Sequence, residues 1–222
     1  MVAIARTHNI TTVLDNTWAT PLYLDAFGLG VDITIHSVTK YISGHSDVLL
    51  GTITVNRHHV DPLLEFCRYA ELNAPQNECY LALRGLRTMP VRLKQHETAA
   101  LDVANWIADL PEVDRVLHPA LPQHPQHHIW KRDFKGSTGL FGFTMKQDYT
   151  DTQIAAFVNH LELFGIGYSW GGYKSLITVG KYKRNFPSPL QNRNIFRLYI
   201  GLEDVADIKA DLADAFTALK NG

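Results

Sequence analysis

The stretch VDITIHSVTKYISGHSDVLLGTITV, residues 31–55, decides the reading of this chain. Two apolar, β-rich runs, Val31–His36 and Leu49–Val55, bracket a polar turn that carries one lysine, Lys40. Both runs have the length and composition of strands. Between them Ser37, Thr39, Gly44, His45, Ser46 and Asp47 crowd around the lysine. A loop lysine is ordinarily a solvated charge. A lysine at the mouth of a buried strand, closely preceded by two hydroxyls, invites another reading. Once desolvated it loses proton affinity and becomes a nucleophile for carbonyl groups.

Upstream, Thr11–Leu14 (TTVL) reads as a third short strand, closed by Asp15. Strands this short and apolar suit a sheet covered on both faces. Helices between them are scarce, and Ala26–Gly30 reads only as a helix end or turn. The expectation is the end of a parallel sheet whose beginning lies outside the chain.

Downstream, Pro62–Leu86 reads as helical with a polar break at Asn73–Pro75. Val91–Leu110 reads as a long helix, with Val91, Ala100, Val103, Ala104, Ile107 and Leu110 at roughly helical spacing and Pro111 after it. Val113–His118 follows as a strand and Pro119–Gln126 as a proline-rich loop. Leu140–Met145 is a strand. Thr150 or Asp151 caps a helix that Gly165 is expected to stop. Ile195–Ile200 alternates as a strand that puts Arg197 on one face with Ile195 and Tyr199. Asp204–Leu219 is amphipathic, with acids at its start. The alternation of strand and helix predicts a second α/β domain. The boundary is expected near residue 86, giving domains 1–86 and 87–222.

Composition removes other classes. The 222 residues are 45% hydrophobic and 19% charged, with a formal net charge of −1, so neither a basic nucleic-acid face nor an acidic tail stands out. Cys67 and Cys79 form no CxxC pair, which fits a reducing cytoplasm. No signal peptide or membrane-length apolar run is present, so the expected location is cytoplasmic. His124, His127 and His128 are close together, yet they lie in a proline-rich loop without an HExxH-type helix, so no metal site is assigned. GGYKS lacks the spacing of a phosphate loop, and SGHSD has no triad partner.

A carbonyl-binding lysine has one common use, which is to hold pyridoxal phosphate. The phosphate then needs hydroxyl and backbone donors, and the pyridine nitrogen needs a carboxylate that keeps it protonated. An amino-acid substrate needs a cation for its carboxylate, best an arginine. Ser37 and Thr39 are placed for the first task, Asp15 at a strand end for the second, and Arg197 for the third. Taken singly, each has a bland alternative: a turn former, a cap or a surface charge.

Four separated motifs carry a resemblance: LDNTWATPLY, HSVTKYISGHSDVLLG, YSWGGYKSL and FRLYIGLEDVADIKADL. Together they resemble the Cys/Met-metabolism family of PLP-dependent enzymes, over essentially the whole chain. RGLRT at Arg84–Thr88 and HPALP at His118–Pro122 also fit. The resemblance implies the aspartate-aminotransferase-like fold, fold type I, here an incomplete large domain plus a C-terminal α/β domain. YSWGGY is most similar to the bacterial cystathionine β-lyase branch.

What the resemblance implies follows residue by residue. Lys40 would hold the cofactor covalently, Asp15 would pair with its ring nitrogen, and Ser37 and Thr39 would bind its phosphate. Arg197 would clamp the substrate α-carboxylate with help from Ser169 and Trp170. Tyr168 would stand where γ-specific relatives use glutamate and shape the distal pocket. The implied reaction is α,β-elimination of L-cystathionine to homocysteine, pyruvate and ammonia. A γ-lyase or γ-synthase, or an inactive piece of such a lyase, is the competing reading. The only implied partners are a small-molecule amino-acid substrate and further copies of the chain, a tetramer in the family. Neither nucleic acid nor membrane is implied.

Two departures stand out. The family's long N-terminal stretch, with its arm, glycine-rich turn and ring-stacking tyrosine, has no counterpart here. The chain is therefore expected to be a C-terminal portion with weakened cofactor affinity. Lys174 stands where relatives carry glutamate. Exposed, it would be nearly neutral; beside Arg197, it would loosen the carboxylate clamp.

Overall fold

Three strands organise the first part of the chain: β1 (Val13–Asp15), β2 (Ile33–Ser37) and β3 (Gly51–Val55). In this computed structural model, which describes residues 1–221, β1 runs parallel to β2 and β2 antiparallel to β3, in the order β1-β2-β3. The β1–β2 register aligns Asp15 with Ile35, and the Asn16 N–H donates to the Ile35 carbonyl at 2.9 Å. Both strands therefore end at the same edge of the sheet, where ligands gather in open α/β sheets. Asp32 ties the opposite end together. Its carboxylate accepts from the Thr12 N–H and hydroxyl, at 2.9 and 2.8 Å, and from Asn56 at 2.9 Å.

The remaining elements of this unit are helices: α1 (Val2–Thr7), α2 (Thr20–Tyr23), α3 (Val60–Tyr69) and α4 (Gln76–Leu86). The break between α3 and α4 falls at the expected Asn73–Pro75. The expectation of strands covered on both faces is corrected. Val13 is 59% and Ile53 52% exposed, and Leu49, just before β3, is 87% exposed. The described residues supply no further strand or helix to cover these apolar positions.

The chain divides into two compact units. The first comprises Met1–Val91 and Asp133–Ser137, and the second comprises Arg92–Arg132 and the chain from Thr138 on. The short return into the first unit is anchored there. The Lys135 N–H donates to the Tyr23 carbonyl at 2.8 Å, and Phe134 meets Trp18 edge to face.

The second unit takes most of α5 (Met89–Ala108), followed by β4 (Val113–Leu117), α6 (His127–Asp133), β5 (Leu140–Met145), α7 (Asp151–His160), β6 (Gly165–Ile166), β7 (Leu176–Lys181), β8 (Asn194–Tyr199) and α8 (Val205–Asn221). Its five strands are ordered β4-β5-β8-β7-β6, which puts β8 in the centre. α5, α7 and α8 cover one face. Ala99, Ala100, Val103, Ala104 and Ile107 meet Phe143, Phe157, Phe196, Leu212 and Phe216 in a continuous apolar core. Phe143 stacks on Phe196 at 5.1 Å, and Phe157 meets both Phe196 and Phe216 edge to face.

α7 begins as its sequence predicts. Thr150 and Gln153 form a reciprocal capping box. Its end differs from the expected stop at Gly165. The helix finishes at His160, and Leu161 is already extended. Asp211 of α8 explains the early stop, since its carboxylate accepts the Glu162 and Leu163 N–H groups at 2.8 and 3.0 Å. Gly165 instead opens β6. Strands β6 and β7 and helices α1, α2 and α6 are additions to the elements read from sequence.

Candidate active site

Asp15, Ser37, Thr39 and Lys40 belong to the first unit, and Tyr168, Ser169, Trp170 and Arg197 to the second. In the first, an open basin of about 580 Å³ lies at the ends of β1 and β2, lined by Asp15, His36, Ser37, Thr39 and residues 49–53. Asp15 is exposed to it. Its Oδ1 accepts from the N–H of Thr17 at 2.9 Å and from the Thr17 hydroxyl at 2.5 Å. The same hydroxyl accepts from the Ser37 N–H at 2.9 Å, so Thr17 joins the ends of the two strands. Asp15 Oδ2 and the Ser37 hydroxyl make no hydrogen bond among the described residues.

Beneath them lies His36, 7% exposed, with neither ring nitrogen hydrogen-bonded. Burial lowers its pKa to about 4, and the nearby Asp15 charge opposes that shift only in part. The imidazole is therefore neutral at pH 7 and leaves the Asp15 charge uncompensated.

Lys40 sits on the turn that leaves β2. Its N–H donates to the Ser37 carbonyl at 3.0 Å, and its own carbonyl accepts from the Gly44 N–H at 2.9 Å. Val38, Tyr41 and Ser43 are each at most 1% exposed, which locks the backbone around the lysine. Gly44, at φ +70°, makes the left-handed bend. α4 packs closely behind the turn at Gly85, where a methyl group would collide with the carbonyl oxygens of Ile42 and Ser43. The Thr39 hydroxyl is engaged differently from the phosphate role inferred for it. It donates to the Leu50 carbonyl at 3.3 Å and accepts from the Leu50 N–H at 3.1 Å, closing the loop 39–50.

In the second unit Arg197 projects from β8, the central strand. Its Nη2 donates to the carbonyls of Gly167 and Tyr168 at 3.2 and 2.9 Å, and the guanidinium carbon lies 5.8 Å from the centre of the Tyr168 ring. These contacts aim the fork and leave Nε and Nη1 without a hydrogen bond among the described residues. No carboxylate pairs with it there. Ser169 is exposed, Trp170 half-buried and Tyr168 81% exposed.

The segment 168–175 is held from below. The Tyr199 hydroxyl donates to the Gly172 carbonyl at 2.6 Å, and Glu203 accepts from the Ser175 N–H and hydroxyl at 2.7 and 2.8 Å. Lys174 is exposed, the case in which its replacement of a glutamate is nearly neutral.

Thr17, Gly85, Tyr199 and Glu203 are positioning residues that the sequence reading did not single out. Each lay inside a quoted motif, so a signal was present. Their tasks depend on register and close approach, which spacing alone does not reveal.

Comparison with known proteins decides the lineage. A family model, Cys/Met metabolism PLP-dependent enzyme, matches residues 1–217. The chain belongs to this family. A provisionally named cystathionine beta-lyase of Rhizobium johnstonii is 46% identical over 97% of this chain and 56% of its own length. An L-alanine/L-glutamate racemase of Wolbachia pipientis is 39% identical over 99% of this chain and 55% of its own. A cystathionine gamma synthase structure from Xanthomonas oryzae superimposes with a TM-score of 0.88 at 27% identity, covering 99% of this chain and 58% of that one. The fold is thus fold type I, and the chain spans just over half the length of the relatives it matches.

The basin suits the family's cofactor. Asp15 Oδ2 is an uncommitted anion suited to a pyridinium N–H, and the Ser37 hydroxyl is an uncommitted donor suited to a phosphate oxygen. Lys40 follows on a rigid turn.

Proposed function

We propose that this chain supplies the lysine-bearing cofactor platform, built on the first unit, and the substrate-carboxylate unit, built on the second, of a PLP-dependent carbon–sulfur lyase. Its reaction is α,β-elimination of L-cystathionine to homocysteine, pyruvate and ammonia. The observation that carries the reading is one shared sheet edge. Asp15 Oδ2 and the Ser37 hydroxyl stand uncommitted there, with Lys40 on the locked turn that follows.

When bound, PLP supplies a carbonyl for the substrate amine and a ring that accepts electrons. The protein's residues do the rest. Asp15 holds a proton on the ring nitrogen, and Thr17 fixes the carboxylate that does so. Ser37 binds the phosphate, and Thr39 closes the loop beside it. Arg197 binds the α-carboxylate and orients the Cα–H bond, with Ser169 and Trp170 beside it. The Lys40 amine takes the Cα proton. The Cβ–S bond then breaks, and the departing sulfur receives a proton from Lys40. The three-carbon remainder is hydrolysed to pyruvate and ammonia. The Tyr168 ring lies beside Arg197, 5.8 Å from the guanidinium carbon.

YSWGGY and the likeness to a named beta-lyase support β-elimination over γ-chemistry. The likeness to a racemase favours a second reading, in which Lys40 removes the Cα proton and another proton is returned to the opposite face. Products separate these readings. Incubation with PLP and L-cystathionine is expected to give pyruvate and homocysteine. Formation of 2-oxobutyrate and cysteine would mean γ-elimination, and loss of optical rotation from L-alanine would mean racemisation.

A further inference from the structure

Residues 163–202 hold Lys174, Lys181, Lys183, Arg184, Arg193 and Arg197 and contain no Asp or Glu. The whole chain, by contrast, is nearly balanced, with Lys+Arg 21 against Asp+Glu 22. Arg193 is paired with Asp114 at 2.7 Å. Three of the others, Lys183, Arg184 and Arg197, line one cavity of about 410 Å³ in the second unit. Its apolar lining includes Leu117, Phe141 and Ile195. None of the three cations has an acidic partner among the described residues.

A lone surface cation is satisfied by water and counterions. Three cations lining one largely apolar cavity, Lys183 and Arg184 at its exposed rim and Arg197 half-buried, without an anion among them, raise the local potential and favour an anionic ligand. The apolar lining suits a methylene or thioether chain, and the volume suits a ligand of amino-acid size. We propose that this cavity selects substrates with a carboxylate at each end, Arg197 taking the α-carboxylate and Lys183 with Arg184 the distal one. The proposal rests on reading Arg197 as the α-carboxylate clamp. It adds Lys183 and Arg184 as specificity residues for a dicarboxylic substrate over a monocarboxylic one.

The test needs neither cofactor nor turnover. The purified chain is titrated by calorimetry with butyrate and with adipate at low and raised ionic strength. Adipate is expected to bind on the order of tenfold more tightly than butyrate, and the advantage to shrink with salt. A Lys183→Ala/Arg184→Ala double variant, its fold checked by circular dichroism, should lose that advantage and keep butyrate affinity. Arg197→Ala should weaken both ligands. Equal affinity for adipate in the double variant and the parent would overturn the proposal, as would equal affinity of the parent for the two ligands. If either occurs while cystathionine still yields pyruvate in an Arg197-dependent manner, the lyase reading stands and only the distal subsite fails. If the dicarboxylate preference holds but no pyruvate forms, the subsite stands without the reaction.

Discussion

Acidification from about pH 6.5 to about pH 4 is expected to remove a large share of the stability of the second unit. His96 and His118 are both 0% exposed, and each has its pKa lowered to about 4. Burial is the leading cause for both, and neighbouring positive charge adds to it, from Arg92 at His96 and from His124 at His118. His96 keeps its place through hydrogen bonds to the Ile200 and Gly201 carbonyls, at 3.0 and 3.2 Å. In the unfolded chain each histidine protonates near 6.5. Between the two values the unfolded state binds more protons than the folded one, so stability falls as pH falls. The contribution is complete above about pH 6.5 and lost on approach to pH 4. It amounts to about 3 kcal/mol per histidine, against a total of about 5–15 kcal/mol for a typical domain. Urea midpoints followed by circular dichroism should drop steadily across this window. A flat midpoint would mean that the two imidazoles are hydrated in the folded state.

The second large effect is expected from Arg197→Ala. Removing one partner of a hydrogen-bonded charge pair costs about 2–5 kcal/mol. In kcat/KM for a cystathionine-type substrate this is on the order of 30- to 5,000-fold. Because Arg197 is half-buried, the lower part of that range is expected. Arg197→Lys should recover little, since a point charge cannot reproduce the two-pronged grip. The substitution also removes the donor that holds the Gly167 and Tyr168 carbonyls, so a folding check by circular dichroism accompanies the assay. A kcat/KM unchanged by Arg197→Ala would remove the residue from the substrate site.

Much of the architecture was legible because the signals are local. Leu140–Met145 is a mostly apolar run that becomes the strand beside β8, and its bounds coincide with those observed. A Thr or Asp ahead of an apolar-periodic run marks a helix start, and Thr150 takes that role through a local hydrogen bond that needs no tertiary context. The Asp15 and Lys40 motifs stand out for another reason: Asp15 ends β1 and Lys40 lies on the turn just after β2, at the sheet edge where ligands gather in open α/β folds.

What was not legible depends on partners distant in the chain. The helix stop at Leu161 is imposed by Asp211, fifty residues on, and no residue near Gly165 encodes it. β7 includes Gly180 and is only partly apolar, so its strand character comes from pairing with β8. The apolar runs around β1 and β3 read as covered strands, because sequence records which residues prefer burial and not whether the chain supplies the cover. The role of Thr17 depends on the parallel register, which brings the Ser37 N–H to the hydroxyl that also donates to Asp15.

The central claim is that Lys40, with Asp15 and Ser37, forms a cofactor site within these residues. The most direct measurement is the visible absorption spectrum of the purified chain with pyridoxal phosphate, before and after borohydride, beside a Lys40→Ala variant. The expected result is a yellow band that borohydride reduces and that the variant lacks, with the cofactor's mass retained on the Lys40 peptide. An identical spectrum for both proteins, or attachment at other lysines alone, would contradict it.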